Sequence, residues 1–484
     1  MCICGRGKLK NKYQELPVQG KATLWFLLCS VLQKGISVLT TPFFTRLMDT
    51  SEYGVFNVFL SWQGIVAAIV ILTLPWGVVE QGLVKYTDKR DIFTSSTLGL
   101  MTTLSLVWFC IYLLNKSWWN NIFSLTTLQT IALFSITWSS SVFTFWSINQ
   151  RIDYNYKSLV ALTIVVSILK PLIGIILVIK FEDRVTARIL GLAGIELLFY
   201  IPLFLGMMLK GGVFFSKYFW IYVLRFNVPL IPHYLSQRIL NSSDRIMIDH
   251  MCGSGDAGIY SLAYSLSMIM LIVNQAFQSS LNPWIYRKIK EEKVDELNKI
   301  VYPSLLIVAL INLLLIAFAP EAVHIFAPAD YYEAIWIIPP VTMSVFFMFL
   351  YGFFANIEFY YEKTGIMAVA TVIGAVLNIV LNYIFIGIYG YFAAGYTTLA
   401  CYIIYAFCHY LAMRHICKIN MIKSKIFDKW VLIGVSSGFM LLGFLISLTY
   451  EVAVVRYSIV GLLMGILFLN RSQIRKFFNI NKCF

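Results

Sequence analysis

The sequence predicts an all-α integral membrane protein of about 14 transmembrane helices, with two pseudo-symmetric six-helix lobes around a central cavity and two extra C-terminal helices. Of its 484 residues, 59% are hydrophobic and only 13% are charged, whereas a soluble domain carries about 25% charged residues. Long apolar runs recur along the whole chain. Because lipid is the solvent in which this composition is stable, the sequence excludes a cytosolic enzyme, a disordered tail protein and a secreted disulfide scaffold.

The net charge points to the membrane surface. A formal charge of +14 would also fit a nucleic-acid-binding protein, but in a membrane protein it usually reflects Lys and Arg retained on the cytoplasmic side. We therefore expect the lipid bilayer as a partner and no nucleic acid. The nine Cys and five His residues show no metal-ligand spacing, so we expect no metal and no other cofactor.

Fourteen apolar segments approach the roughly 20 residues that a helix needs to cross a bilayer core. The first follows a polar tail and has no small-residue cleavage site, so we interpret it as a span rather than a removed signal. The predicted spans are residues 22–44, 54–78, 92–114, 126–148, 158–180, 187–209, 219–242, 257–283, 301–319, 335–357, 365–387, 391–413, 430–449 and 453–470.

The distribution of basic residues supports this count. If the N-terminus is cytoplasmic and the spans alternate, most of the 38 Lys and Arg residues fall on the cytoplasmic side. Omitting one span would reverse the sides from there onward and remove the bias. We therefore predict that both termini are cytoplasmic. The span at 219–242 is the weakest, because it contains Arg225, Pro229, Pro232 and Arg238.

Spans 1–6 and 7–12 look like two copies of one unit. Gln33-Lys34 recurs as Gln237-Arg238, and the same spacing places Gly54-Val55-Phe56 on Gly258-Ile259-Tyr260. Because each copy has an even number of spans, the copies are parallel repeats that can rock against each other around a cavity. The predicted divisions are a cytoplasmic tail at 1–21, an N-lobe at 22–212, a C-lobe at 213–414, and a C-terminal part at 415–484 with helices 13 and 14.

Charged residues inside the spans mark the candidate site. Each costs at least about 2.5–3.5 kcal/mol at the bilayer centre, so it usually faces a bundle interior or a wet cavity. The repeat makes Lys34 and Arg238 equivalent, and two cations on opposite walls would attract an anion. The candidate substrate-binding cations are Lys34, Arg238, Lys170 and Arg225, and the candidate ion-coupling acids are Glu80, Glu196 and Glu358.

Each of these residues also has a structural interpretation, which the sequence leaves open. A long cationic side chain near a span end can snorkel to the interface, and buried acids and bases can pair as contacts between helices. These alternatives are snorkelling for Arg225, ion pairs of Arg238 with Asp244 and of Lys170 with Glu196, and an interfacial pair of Glu80 with Lys85.

Three stretches of the sequence carry a resemblance to a known family. They are Thr41-Pro42 through Arg46-Leu47 with Ser51-Glu52-Tyr53-Gly54, then Asn241 through Ile248 with Ala257 through Ser261, and finally Lys363-Thr364-Gly365 through Asn378-Ile379-Val380-Leu381-Asn382 with Tyr389-Gly390 and Gly395. Together they resemble the O-antigen and capsule repeat-unit flippases of the multidrug/oligosaccharidyl-lipid/polysaccharide exporter superfamily. The second stretch is the most specific and contains the family-motif residues Asp244, Arg245, Gly258 and Tyr260.

The resemblance implies a multi-pass protein of the bacterial inner membrane. Its substrate would be a polyprenyl-pyrophosphate-linked oligosaccharide, moved to the outer leaflet by alternating access for surface polysaccharides such as the O-antigen of lipopolysaccharide. Implied partners are a polysaccharide polymerase and chain-length proteins. Two energy sources stay open, a proton or sodium gradient acting through the candidate acids and downstream consumption of the product. The sequence has no phosphate-cradling Gly-x-x-x-x-Gly-Lys-[Ser/Thr] loop, so we expect neither ATP hydrolysis nor another enzyme activity.

Two alternatives remain at this stage. A multidrug or other lipid-linked substrate exporter of the same superfamily would share the fold, but a cation-lined cavity is unsuited to cationic drugs. A membrane polysaccharide polymerase or ligase would need catalytic groups on sizeable outer loops, whereas the outer connections here are short. The longest candidate, at 320–334, contains Glu321, Asp330 and Glu333 but no Lys or Arg.

Overall fold

The computed structural model describes residues 17–75, 78–420 and 426–469. Within these ranges every regular element is a helix, which confirms the predicted all-α class. Most of the predicted N-terminal tail, 1–16, and the C-terminal tail, 470–484, lie outside the described residues.

Twelve helices in the described residues are long and apolar enough to cross a membrane, so the chain is a multi-pass membrane protein. The predicted count of fourteen is not confirmed. The two predicted spans absent from these twelve are 219–242, which the structure divides into shorter helices, and 453–470, whose helix is short.

The helices are labelled here in chain order. The first ten are α1 (Val18–Leu47), α2 (Thr50–Val70), α3 (Val78–Lys85), α4 (Arg90–Leu114), α5 (Lys116–Phe123), α6 (Thr127–Ile152), α7 (Tyr156–Lys180), α8 (Arg184–Gly211), α9 (Lys217–Asn227) and α10 (Ile231–Met251). The remaining nine are α11 (Ser254–Ser267), α12 (Met270–Lys290), α13 (Asn298–Ala317), α14 (Ala319–Phe326), α15 (Ile338–Tyr360), α16 (Thr364–Tyr389), α17 (Phe392–Ile419), α18 (Lys429–Ser447) and α19 (Ala453–Leu469). Short 3-10 turns lie at Thr87–Lys89, Val228–Leu230, Val294–Leu297 and Ala329–Trp336.

The described chain forms two compact units. The first contains the residues up to Met48 and Val58–Arg238, and the second contains Asp49–Asn57 and the residues from Ile239 onward. Helices α2 and α10 are therefore each divided between the units. The lobe boundaries expected at residues 212 and 414 stay predictions.

In the first unit, α7 and α8 pack closely together and against α6. Their common core contains Val166, Ile195 and Tyr200, whose ring stacks on that of Phe143 at a centroid distance of 4.8 Å. Burying such side chains contributes roughly 1.5–3 kcal/mol each by water-based scales. The aromatic layer sits directly beside the buried charges described below.

The break between α9 and α10 also belongs to the first unit. A 3-10 turn containing Pro229 separates the two helices, and Pro232 lies in the first turn of α10. Proline has no backbone N–H and cannot continue the hydrogen-bond ladder from the preceding turn. Just before the turn, Asn227 donates from Nδ2 to the carbonyl oxygen of Leu72 at 3.0 Å. This buried side chain fixes the broken segment to the turn that follows α2.

In the second unit, α15 is the most deeply buried candidate span and packs along α17. At another crossing, α2 and α11 approach so closely that two glycines are required. A Cβ on Gly258 would lie 2.0 Å from the carbonyl oxygen of Thr50, and a Cβ on Gly54 would lie 1.8 Å from that of Ser254. Real Cβ atoms never approach backbone oxygens so closely, so only glycine fits there. These are the two glycines that the sequence repeat aligns.

Candidate functional site

Lys170 and Glu196 form a buried ion pair in the first unit. Lys170 Nζ lies 2.6 Å from Glu196 Oε1, and the two side chains are 26% and 5% exposed. The hydroxyls of Ser139 and Ser140 donate to Glu196 Oε2 at 2.7 and 2.8 Å. The carboxylate is thus neutralised and its oxygens are all engaged, as a buried charge requires. The sequence left two interpretations of Lys170 open, a substrate-binding cation and a contact between helices. The structure shows an ion pair that joins α7 to α8.

The other three candidate cations occupy different environments. Lys34 on α1 and Arg238 on α10 are partly buried, whereas Arg225 in the last turn of α9 is exposed. Arg238 is the last residue of the first unit. The placement of these side chains on opposite walls of a cavity stays a prediction.

Glu80 is exposed in the first turn of α3. Lys85, at the end of the same helix, lies 4.8 Å from the ring centroid of Tyr222 and 5.5 Å from that of Tyr86. Within the described residues, Glu80 and Lys85 do not form an ion pair, so the structure does not show the interfacial pair. An aromatic face attracts the ammonium group instead.

The family-motif residues lie in the second unit, around a buried carboxylate. Asp244 is 1% exposed and accepts hydrogen bonds from Tyr260 Oη at 2.8 Å, Thr398 Oγ1 at 2.8 Å and Asn382 Nδ2 at 2.6 Å. These donors are neutral side chains. The guanidinium of Arg245 lies over the ring of Tyr264, 4.1 Å from its centroid.

The network around Asp244 extends to both neighbouring helices. Asn378 on α16 accepts from Ser243 Oγ at 2.9 Å and from Asn382 Nδ2 at 3.3 Å. Tyr402 on α17 donates to Asn241 Oδ1 at 3.1 Å. Sequence reasoning named Asn378 and Asn382 only through the family resemblance. Their spacing of four residues in an apolar helix puts both on one face, which was an available signal.

Glu358 forms a second buried pair, with a histidine that sequence reasoning missed. His409 Nδ1 on α17 lies 2.9 Å from Glu358 Oε1 and 3.0 Å from Oε2 on α15, and both side chains are fully buried. His409 Nε2 makes no hydrogen bond. The available signal was an isolated ionisable residue in an apolar span, where such residues are costly.

An apolar groove lies between α15, α17 and α18, with a volume of about 320 Å³. Phe347, Phe354 and Phe407 contribute rings, and Lys429, at the start of α18, is its one charged lining residue. Helix α18, the thirteenth predicted span, therefore forms one wall of the groove. Within the described part of the chain, no group of three or more His, Cys, Asp or Glu side chains could hold a metal ion.

Two family models match the chain. The model described as "Polysaccharide biosynthesis protein" matches residues 20–287, more than half of the sequence. The model described as "MatE" matches residues 229–384. The two matches overlap across α10, α11 and most of α12, where the family-motif residues lie.

Solved structures share the fold over most of the chain. An inward closed conformation of the lipid II flippase MurJ has a TM-score of 0.63 and 15% identity, covering 90% of this chain and 100% of that one. An inward-facing multidrug resistance MATE family transporter of the MOP superfamily has a TM-score of 0.61 and 13% identity, covering 81% and 96%. At these identities the likeness establishes the fold alone.

Curated relatives match a shorter part. A protein of the Lsg locus of Haemophilus influenzae is 29% identical over 166 residues, which are 33% of this chain and 40% of that protein. An uncharacterized membrane protein of the same organism is 23% identical over 158 residues, 32% of this chain and 39% of that protein. The chain therefore matches about two fifths of the length of these relatives.

Proposed function

Because the chain belongs to the polysaccharide biosynthesis protein family, we propose that it is a flippase for a lipid-linked oligosaccharide in the bacterial inner membrane. The substrate is a polyprenyl-pyrophosphate-linked repeat unit, which moves from the cytoplasmic to the outer leaflet during surface polysaccharide biosynthesis, including that of O-antigen lipopolysaccharide. The observation that carries the proposal is the family match over residues 20–287, which contain all four candidate cations. The shared fold of a MATE transporter and of the lipid II flippase supports transport.

The chemistry of the substrate explains why cations are needed. A pyrophosphate cannot enter the hydrocarbon core without compensation, because an isolated charge there is strongly disfavoured. The polyprenyl tail can stay in the bilayer while the headgroup passes through a hydrated path between two lobes. Lys34 and Arg238 attract the pyrophosphate along this path, and Arg225 assists from the cytoplasmic end. Rocking of the lobes then exposes the headgroup on the other side.

Lys170 has a different role in this proposal. Its charge is already compensated by Glu196 at 2.6 Å, so it contributes little net attraction for an anion. Among the three candidate coupling acids named from the sequence, Glu196 is saturated and Glu80 is exposed, so Glu358 is the buried candidate for ion coupling to a proton or sodium gradient. With both termini in the cytoplasm, the flippase delivers its product outside, where a polymerase and chain-length proteins use it.

A multidrug exporter is the second candidate, favoured by the "MatE" match over residues 229–384. It would bind cationic amphiphiles, which the basic candidates at membrane depth would repel. A drug-efflux assay in cells that overproduce the protein separates the two, because the flippase proposal predicts no change in drug resistance.

The acids of the 320–334 connection, where a polymerase or ligase would need catalytic groups, have side-chain partners in the structure. Glu321 on α14 accepts hydrogen bonds from Arg456 and from Tyr457 Oη, and Tyr391 donates to Glu333. Two of the three acids between residues 320 and 334 are therefore engaged by other side chains.

A charge-neutralising variant tests the flippase proposal. The Lys34→Ala/Arg238→Ala protein, expressed in a deletion strain, should be present at normal level yet export no surface polysaccharide, and lipid-linked units should accumulate on the inner leaflet. Lys116→Ala/Lys180→Ala is the matched control, because it removes two exposed cations from helix ends and should export normally. Full export by the Lys34/Arg238 variant would refute their role.

A further inference from the structure

The pair of Glu358 and His409 is more deeply buried than the Lys170–Glu196 pair of the first unit. Both of its side chains are 0% exposed, whereas in the Lys170–Glu196 pair Lys170 is 26% exposed. His409 Nδ1 contacts both carboxylate oxygens, at 2.9 and 3.0 Å. Within the part of the chain that the structure describes, neither member has a second charged partner, so the charge of the pair depends on protons alone.

Counting protons shows which atom binds the exchangeable one. With a neutral imidazole that donates from Nδ1 to the carboxylate, the pair has a charge of −1 and Nε2 is bare. Adding one proton makes the pair neutral, and in both neutral forms, carboxylate with imidazolium or carboxylic acid with imidazole, Nε2 holds a hydrogen. This nitrogen is buried and makes no hydrogen bond, so it is the open position for the proton.

Burial favours the proton-bound form. A net charge far from water and without a counter-ion is strongly disfavoured, and the neutral pair avoids it. The contrast with Glu196 is decisive, because that carboxylate has Lys170 at 2.6 Å and needs no proton. Loss of the proton from the Glu358–His409 pair therefore requires water or another acceptor to reach it, which a change of conformation can provide.

The described side chains that contact the pair are aromatic or polar, and none of them forms a second ion pair with Glu358 or His409. Tyr351 on α15 stacks on His409 at a centroid distance of 5.3 Å, and Tyr405 on α17 meets it edge to face at 4.4 Å. Tyr405 Oη is hydrogen-bonded to Thr371 on α16 at 3.0 Å. Cys408 precedes His409 on α17, and on α12 Tyr286 donates to Asn356, two residues before Glu358 on α15. Lys429 on α18 lines the neighbouring groove together with Phe354. Within the described residues, no charged side chain of α13 or α18 forms an ion pair with Glu358 or His409.

We propose that Glu358 and His409 form a proton-binding site that couples transport to the proton gradient. One proton from solution on one side binds at His409 Nε2 and makes the pair neutral and stable when buried. The same proton leaves to solution on the other side when the second unit rearranges, so protons balance over a cycle. The coupling rests on the proposed flippase function, whereas the proton binding stands independently.

The binding step is tested on the purified full-length protein in detergent. Histidine ¹⁵N NMR over a pH series reports the protonation of each imidazole, and the signal lost in His409→Gln is that of His409. In wild type, Nε2 should hold a proton at pH 7, and in Glu358→Gln, where no carboxylate faces the ring, the imidazole should bind its additional proton only at lower pH. The exposed His415 on the same helix supplies the control, because its titration should be unchanged. An identical titration of His409 with and without Glu358 would overturn the proposal.

The coupling step is tested in proteoliposomes with a fluorescent polyprenyl-pyrophosphate disaccharide and an imposed pH gradient. The gradient should stimulate flipping by the wild type by about ten-fold, and Glu358→Gln and His409→Gln should flip at the unstimulated rate. His415→Gln should retain the stimulation. If the wild type does not flip the probe, the flippase proposal fails, and the NMR series still decides the proton site. Full stimulation in folded His409→Gln would overturn the coupling.

Discussion

Replacing Lys170 by Met isolates the energetic role of the first unit's buried pair. The change keeps the length of the side chain but leaves Glu196, which is 5% exposed, with two serine donors and no cation. Breaking a buried pair in this way costs about 3–5 kcal/mol in fully buried cases. Because Lys170 is 26% exposed, we expect a value near the lower end, about 3 kcal/mol.

The reverse change should be milder. In Glu196→Gln the stranded ammonium can move toward water, so we expect a cost of about 1–2 kcal/mol. In the double variant neither charge remains, and its stability should return to within about 1 kcal/mol of wild type, because a neutral pair removes both desolvation costs. The free energy of unfolding of the four proteins, measured by chemical denaturation in detergent, gives the coupling energy.

Two outcomes would contradict this reasoning. Additive destabilisation in the double variant would show that the charges do not depend on each other. Wild-type stability of Lys170→Met would show that Glu196 does not need the cation. Export by the double variant then separates structure from binding, because a stable protein that no longer exports would return Lys170 to the substrate path.

Two further predictions concern close packing and pH. Gly258→Ala places a Cβ 2.0 Å from the carbonyl oxygen of Thr50 and should destabilise the protein by about 1–3 kcal/mol in thermal unfolding, whereas Gly255→Ala, with its nearest atom at 3.4 Å, should not, and equal stability of the two would contradict the crossing. The hydrogen bond from Lys288 lowers the pKa of Glu291, so its stabilising contribution is present above pH of about 4.3 and disappears as the pH falls through the lowered pKa. The protection of amides at the end of α12 against hydrogen exchange, taken relative to the intrinsic exchange rate at each pH, should therefore fall on acidification and lose this response in Lys288→Met; an unchanged response would show that the contact has no role.

Much of the fold follows from the sequence because lipid constrains it so strongly. Apolar length alone predicted helices at 158–180 and 187–209, and the structure has them at Tyr156–Lys180 and Arg184–Gly211. Pro229 and Pro232, which made the predicted span at 219–242 the weakest, lie at the break between α9 and α10. The division of the predicted span at 257–283 into α11 and α12 could not be predicted, because no Pro or Gly marks the junction at 268–269.

The site is less accessible from sequence because its contacts are non-local. The pairing of Lys170 with Glu196 was foreseeable as an alternative, since two opposite charges on neighbouring spans gain by meeting. Glu358 was identified as costly, but its partner His409 is 51 residues away and has no local pattern. The contact of Gly54 with Gly258 depends on a helix crossing that the repeat alignment does not specify. The sequence thus indicates which charged residues are costly to bury, whereas the packing of the helices decides which partners compensate their charges.

The most direct test of transport is reconstitution of the purified protein into vesicles that contain polyprenyl-pyrophosphate-linked oligosaccharide extracted from a deletion strain. A lectin added outside measures how much of the oligosaccharide is exposed over time. We predict that units placed in one leaflet appear in the other only when the wild-type protein is present, and that Lys34→Ala/Arg238→Ala vesicles behave like empty ones. Units that remain in their original leaflet, in vesicles that accumulate a cationic dye, would contradict the proposed function.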